Sequence, residues 1–238
     1  MKRANRLDHY LKRYNRLDGK TYIVTGANSG LGLSATRHFL SLGATVIMAC
    51  RSLNKAEIAR LELLKAFPNS NIEILPYDQA DFDSIDHFVN VVKSQYSDFA
   101  GIILNAGIYH PKRGLKTAQG FPLTMGTNYL GIYYLLKRMK EVGIWDIRQE
   151  KRIIFVGSLS WYRVKVARSE EYLTRDIGTS MAQYCRSKTA LGALSYQLSR
   201  HNEDDLLSVP SHIKVYTMHP GVTGTNIVGA SNSSYPKW

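Results

Sequence analysis

Lys20-Thr21-Tyr22-Ile23-Val24-Thr25 runs directly into Gly26-Ala27-Asn28-Ser29-Gly30-Leu31-Gly32, and the reading of this stretch decides the fold. The first six residues are rich in β-formers. The next seven are a glycine-rich turn, after which an amphipathic pattern continues to Leu42 and stops at Gly43. Strand, glycine turn and helix in this order make a cradle for a pyrophosphate. Glycines let the backbone approach the phosphates closely, and the helix N-terminus offers free N–H groups and a partial positive charge. The spacing Thr-Gly-x-x-x-Gly-x-Gly is not the Gly-x-Gly-x-x-Gly dinucleotide fingerprint. The expectation therefore rests on the turn's place between a strand and a helix, with a purely structural turn as the alternative.

Outward from this unit, strands and helices alternate. Ala44 to Cys50 reads as a buried second strand ending at Arg51, and Ser52 to Phe67 as a helix with apolar Ile58, Leu61 and Leu64. Asn71 to Tyr77 is a third strand ending at Asp78, and Phe82 to Tyr96 is again helical. Gly101 to Leu104 is a fourth strand running into Asn105-Ala106-Gly107. A polar loop, Ile108 to Gly120, precedes a helix from about Leu123 that holds Asn128, Tyr129 and Gly131 in its first half. Arg152 to Val156 is a fifth strand ending at Gly157-Ser158. Trp161 to Ser180 carries mixed signals, and a long helical pattern holding Tyr184 follows. His212 to Met218 is a sixth strand ending in His219-Pro220-Gly221. This alternation predicts an α/β fold, a Rossmann-type doubly wound parallel sheet of six strands with right-handed crossovers and helices on both faces. With no repeat or linker in view, one domain over 1–238 is expected.

The composition is that of a soluble protein. Hydrophobic residues make up 44% and charged residues 21% of 238. No run of about eighteen apolar residues predicts a membrane-crossing helix. Lys2 and Arg3 are followed by no apolar segment, so no secretory signal is read. The two cysteines, Cys50 and Cys185, suit a reducing compartment, and a cytoplasmic location is expected. The net charge of +12 is strongly basic, but no nucleic-acid motif accompanies it, and no nucleic-acid partner is expected. Residues 1–18 read as a basic helix with Leu7, Tyr10, Leu11, Tyr14 and Leu17 on one face. Packing against the domain is the first reading of this helix, and peripheral contact with a membrane surface the second.

Chemistry enters with Gln183-Tyr184-Cys185-Arg186-Ser187-Lys188. Residues four apart share a helix face, so Tyr184 and Lys188 point the same way. A phenol titrates near pH 10 unaided, and an ammonium beside it favours the phenolate, drawing it toward a range useful for proton exchange with an alcohol or carbonyl oxygen. With 15 Tyr in the chain, about one Tyr-x-x-x-Lys arises by chance. A second one, Tyr133 to Lys137, has no Ser at a preceding strand end. Arg51 adds a cofactor preference. At the second strand's end an acidic residue would accept from a ribose 2′-hydroxyl, whereas an arginine pairs with a 2′-phosphate, which points to NADP(H) over NAD(H).

From about Gly19 to Ile227 the chain resembles the short-chain dehydrogenase/reductase family, one-domain type. The motifs that carry the resemblance are Thr25-Gly26-x-x-x-Gly30-x-Gly32, Asp78, Asn105-Ala106-Gly107, Asn128, Ser158, Tyr184-x-x-x-Lys188 and Pro220-Gly221-Val222-x-x-Thr225, in the family's order. LDGKTYIVTGANSGLG, VIMACRS, GTNYLG and VGS look like the retinol dehydrogenase and protochlorophyllide reductase branch. The separation of 26 positions from Ser158 to Tyr184 exceeds that in simple members. The resemblance implies that Tyr184 is the general acid in reduction and the base in oxidation. Lys188 would lower its pKa and bond the nicotinamide ribose, Ser158 would donate to the substrate oxygen, and Asn128 would hold a water leading from Lys188 to solvent. It also implies that Gly26, Asn28, Ser29, Gly30, Leu31, Gly32, Asn105, Ala106, Gly107, Pro220, Gly221, Val222 and Thr225 line the cofactor, with Asp78 near the adenine. No metal ion enters this reading.

The expected activity is hydride transfer between NADP(H) and an apolar alcohol or ketone. One alternative is nucleotide binding with little turnover, because family members continue past Pro220-Gly221 through a substrate cover, a helix and a seventh strand. The other alternative is protochlorophyllide reductase-like chemistry. Residues 228–238 read as a polar tail, and an uncovered sixth strand would favour a homo-oligomer.

Overall fold

The computed structural model describes residues 15–109, 112–164, 170–176 and 178–221. Six parallel strands form one sheet in the order β3-β2-β1-β4-β5-β6. They are β1 (Thr21–Thr25), β2 (Thr45–Cys50), β3 (Ile72–Pro76), β4 (Gly101–Leu104), β5 (Lys151–Val156) and β6 (Ile213–Met218). Each lies within about a residue of its expected span. The order reverses between β1 and β4, whose register pairs Ile23 with Ile102. Ligands of open parallel sheets bind outside the strand ends at such a reversal.

The inner strands β1, β2, β4 and β5 are buried on both sides, as continuous apolar strands require, while most of β6 is exposed. On one side Ile23, Ile47, Ile102 and Phe155 pack with α3 (Phe82–Gln95), with α4 and with α6 (Ser180–Ser199). The helix α4 comprises Leu123–Met125, a π turn at Gly126–Leu130, and Gly131–Glu141. On the other side Val24, Val46, Met48 and Ile103 pack with α1 (Gly30–Ser41) and α2 (Leu53–Ala66). Side-chain caps set two helix starts. Asp81 accepts from Asp83 N at 3.1 Å before α3, and Thr179 accepts from Ala182 N at 3.1 Å before α6. Between β5 and α6 a 3₁₀ turn (Leu159–Arg163) and the short α5 (Glu170–Thr174) occupy the stretch of mixed signals.

Three expectations change. The N-terminal helix does not reach residue 18. Leu17 is irregular, gives its N–H to Leu42 O at 2.8 Å, packs against the sheet's second core, and leads into a turn with Gly19 at φ +72°. Residues 1–14 of that helix, and 228–238, lie outside the described residues. In α2 the inward face is Ala56, Ala59 and Leu63, whereas Ile58 and Leu61 face solvent. Small side chains let this helix lie close on the sheet, a preference that an apolar-residue pattern does not reveal. The helix expected from Leu123 is interrupted by the π turn, which holds Asn128.

Candidate active site

The site is built at the reversal. Thr25, the last residue of β1, is buried, and its Oγ1 donates to Ile103 O (3.3 Å) while accepting from Asn105 N and Ala106 N (2.9 Å each). Asn105 returns its Nδ2 to Thr25 O at 2.9 Å. One hydroxyl and one carboxamide thus fix the loop after β4 against the loop after β1. Gly26, at φ +66°, turns the chain there. A Cβ on Gly32 would stand 2.3 Å from Gly26 O and 2.6 Å from Asn105 Nδ2, so α1 can seat on this turn only with glycine.

The N-terminus of α1 has no cap of its own. Ser29 precedes α1 without bonding its side chain to the helix, and no acidic residue occupies the first turn. The first backbone bond of α1 is Leu33 N to Ser29 O at 3.1 Å, so the N–H groups of Gly30, Leu31 and Gly32 have no partner within the helix, as the first N–H groups of any helix do not. Asn28 behaves differently. Its N–H and that of Ala27 turn toward the Cys50 thiol beneath, whose pKa burial pushes up against their influence. Arg51 stands exposed at the end of β2 and forms no ion pair among the described residues.

Asp78 follows β3 half-buried. Its N–H donates to Ser84 Oγ (2.9 Å), and its Oδ1 accepts from Ala80 N (2.9 Å), a turn that starts the approach to α3. Gln79 beside it was not singled out in the sequence, yet it joins three parts of the site. It is buried, donates Nε2 to Ala106 O (2.9 Å) and Thr127 O (2.6 Å), and accepts from Tyr77 Oη (3.2 Å). Its partners lie 27 and 48 residues away, so no local pattern could announce it. Asn128, fully buried in the π turn, clamps the next loop. Its Oδ1 accepts from Ile108 N (2.8 Å), and its Nδ2 donates to Ile108 O (2.9 Å) and Ser187 Oγ (3.1 Å). Gly107 is confined by the same side chain, 3.1 Å from Asn128 Oδ1 to a would-be Cβ.

The fifth strand and the sixth helix bring Ser158, Tyr184 and Lys188 together. Ser158 follows β5 and accepts from Ser160 N (3.3 Å) and Ser160 Oγ (3.0 Å). Tyr184 sits half-buried in α6, with Tyr109 packed edge-on to its ring at 4.8 Å. Burial pushes the Tyr184 phenol up, and a hydrogen bond with Ser158 acts in the opposite direction. Lys188 is buried one turn on and donates Nζ to Val156 O at 2.9 Å. Burial pulls its pKa down to about 8. The expected depression of the phenol by this lysine is not the dominant effect here. Nζ is 6.0 Å from the ring centroid and bound to a carbonyl, so desolvation of the phenol outweighs it. The decoy pair separates clearly, since Lys137 is ion-paired with Glu141 and Tyr133 packs against the core. Gly221 N donates to His219 Nδ1 (3.3 Å) after β6 in the turn that includes Pro220, while Val222 and Thr225 lie outside the described residues.

With this geometry in view, a family model described as short chain dehydrogenase matches residues 20–236. The chain belongs to the short-chain dehydrogenase family. It is similar to human retinol dehydrogenase 11, 28% identical over 94% of this chain, and to human retinol dehydrogenase 12, 29% identical over 91%. It spans just under two thirds of their length, 66% in both cases. The chloroplastic protochlorophyllide reductase of Daucus carota is 37% identical over 58% of this chain and 35% of that protein. These place it on the retinol dehydrogenase and protochlorophyllide reductase branch. Among solved structures, levodione reductase superposes with a TM-score of 0.70 at 18% identity, covering 90% of this chain and 75% of that one. An alcohol dehydrogenase from Thermococcus sibiricus complexed with 5-hydroxy-NADP gives 0.68 at 20% identity, covering 92% and 82%. At such identities these two report the fold alone.

Proposed function

We propose that this protein is an NADP(H)-dependent oxidoreductase that interconverts an apolar alcohol and its ketone or aldehyde. The observation that carries the reading is the convergence of Ser158, Tyr184 and Lys188 at the strand ends beside the glycine turn. A nicotinamide bound there supplies or accepts the hydride. The glycine turn and the N-terminus of α1 would hold the pyrophosphate, with Asn105, Ala106, Gly107, Pro220, Gly221, Val222 and Thr225 along the cofactor and Asp78 toward the adenine. The Ser158 hydroxyl would donate to the substrate oxygen, where negative charge grows during reduction. Tyr184 would give its proton to that oxygen, and would take it back from the alcohol in the reverse direction. The buried Lys188 ammonium would replenish the phenol's proton balance. Because Asn128 already spends its carboxamide on Ile108 and Ser187, any water on the route to solvent would be held by its backbone.

Arg51 supports the choice of NADP(H): it is exposed at the end of β2, forms no ion pair among the described residues, and an arginine there would pair with a ribose 2′-phosphate. The apolar substrate class comes from the names of the retinol dehydrogenases, and the exposed Leu159 and Trp161 just after Ser158 agree with it. The test is to mix the protein with NADPH and a panel of apolar ketones and aldehydes while following nicotinamide absorbance. Turnover of the wild type, lost in Tyr184→Phe, is expected. Tight NADPH binding with no turnover of any member would replace this reading with nucleotide binding alone. A pigment arm under illumination addresses the likeness to protochlorophyllide reductase.

A further inference from the structure

Resting on that reading, we propose that Arg186 and Tyr172 form a clamp that positions the catalytic turn of α6, making Arg186 a positioning residue for Tyr184. The 3₁₀ turn and α5, described parts of the stretch from Ser158 to Tyr184, wrap around this turn. Arg186, 9% exposed, donates Nη2 to Tyr172 O at 2.6 Å, and its guanidinium carbon lies 4.3 Å from the Tyr172 ring centroid. Tyr172 returns its hydroxyl to Arg186 O at 3.1 Å. Among the described residues no carboxylate pairs with Arg186, so the carbonyl and the ring face are what solvate this buried cation.

The Tyr172 ring is also a wedge between two elements. It packs with Met125 and Ala190, with Tyr129 and Leu130 alongside. Met125, Tyr129 and Leu130 frame the π turn that holds Asn128, and Ala190 belongs to α6. The hydrogen bond from Asn128 Nδ2 to Ser187 Oγ spans the same gap, and Ser187 Oγ in turn bonds Tyr184 O at 2.8 Å. Two further contacts hold the wrap to α6: Thr189 Oγ1 donates to Trp161 O (2.6 Å) and Gln183 Nε2 to Arg175 O (3.3 Å). Residues two apart do not share a helix face, so Arg186 grips the wrap while Tyr184 and Lys188 face the reaction. A shift of α6 carries the phenol away from Ser158, and a misplacement of about 1 Å costs on the order of 10²-fold in rate.

The test compares Arg186→Met, Arg186→Lys and Tyr172→Phe with the wild type. Arg186→Met should lower kcat about 10²-fold and leave the NADPH dissociation constant within about threefold. Its kcat–pH profile should move to higher pH as the phenol loses its placement. Arg186→Lys, still a cation over the ring, should restore most of kcat. Amide deuterium exchange is read in parallel: Arg186→Met should speed exchange over 180–188 and leave 26–32 unchanged. If Arg186→Met does not fold, Tyr172→Phe, which loses only the hydroxyl, carries the same expectations at smaller size. Wild-type kcat, pH profile and exchange in the folded variants would overturn the clamp. So would a fall in kcat matched by an equal loss of NADPH affinity and melting temperature, since that pattern reports damage to the fold. A wild type that reduces no ketone sinks the functional reading instead, and the exchange arm still decides the clamp.

Discussion

Tyr184 and Lys188 oppose each other in charge demand. Burial holds the phenol protonated and holds the ammonium near its titration point, with a pKa of about 8. Removing the phenol oxygen in Tyr184→Phe should lower turnover by about 10² to 10⁴-fold with NADPH affinity nearly unchanged. Tyr133→Phe is the control, because Tyr133 packs against the core away from Ser158. Steady-state rates of both variants check this. The lysine also makes a stability statement. An unfolded lysine keeps its proton to near 10.5, whereas the folded one releases it near 8. Between those values the unfolded state binds more protons, so Lys188 makes the protein more stable as pH rises. The effect is bounded at about 3 kcal/mol. Above pH 10 the raised Tyr184 phenol works the other way, so the clear window is about 8 to 10. Melting temperatures of the cofactor-free wild type and Lys188→Met at about pH 8 and about pH 9.5, both within that window, provide the check. The wild type should gain relative to the variant at the higher pH, and a constant difference would refute the assignment.

At the scale of elements, the turn after β1 and the helix α6 make opposite demands on glycine. In Gly32→Ala the new methyl would meet Gly26 O at 2.3 Å and Asn105 Nδ2 at 2.6 Å. Backbone cannot yield as a flexible side chain does, so α1 must lift from the turn. The expected cost is about 1–3 kcal/mol, with NADPH affinity falling at least about tenfold because the N–H groups proposed to hold the pyrophosphate move with α1. Gly192 sits in mid-α6 with nothing within 4 Å of a would-be Cβ. Gly192→Ala should therefore stabilise by about 0.5–1 kcal/mol. Thermal melts and NADPH titration measure both. These two glycines also mark what was legible. Gly32 lay in a pattern whose purpose is local, so strand, turn and helix could be read together. The inner strands were equally readable because a strand buried on both sides must be apolar throughout. What escaped reading depends on distant partners. The π turn at Gly126–Leu130, the bridging role of Gln79 and the Arg186–Tyr172 pair are set by contacts across the fold, and no periodicity encodes them. The α2 face misled for a related reason, as alanines seat a helix closely without looking apolar enough to define a stripe.

For the molecule as a whole, the distribution of exposed apolar surface points to behaviour in solution. The strand β6 ends the sheet order and pairs only with β5 among the described residues. Tyr216 is 51% and Met218 46% exposed on it, and Tyr196 on the neighbouring α6 is 66% exposed. An apolar strand edge with unpaired N–H and C=O groups is a template for another chain. The 238-residue chain should therefore self-associate, with a mass that rises with concentration by light scattering. Tyr216→Lys should reduce this, because a charge on an edge strand disfavours pairing. The glycine turn and Tyr184 lie on other elements, so NADPH should still bind this variant and raise its melting temperature by mass action. A monodisperse monomer at all concentrations would show that β6 is not an open edge. Association that Tyr216→Lys leaves unchanged would move the contact elsewhere on the surface.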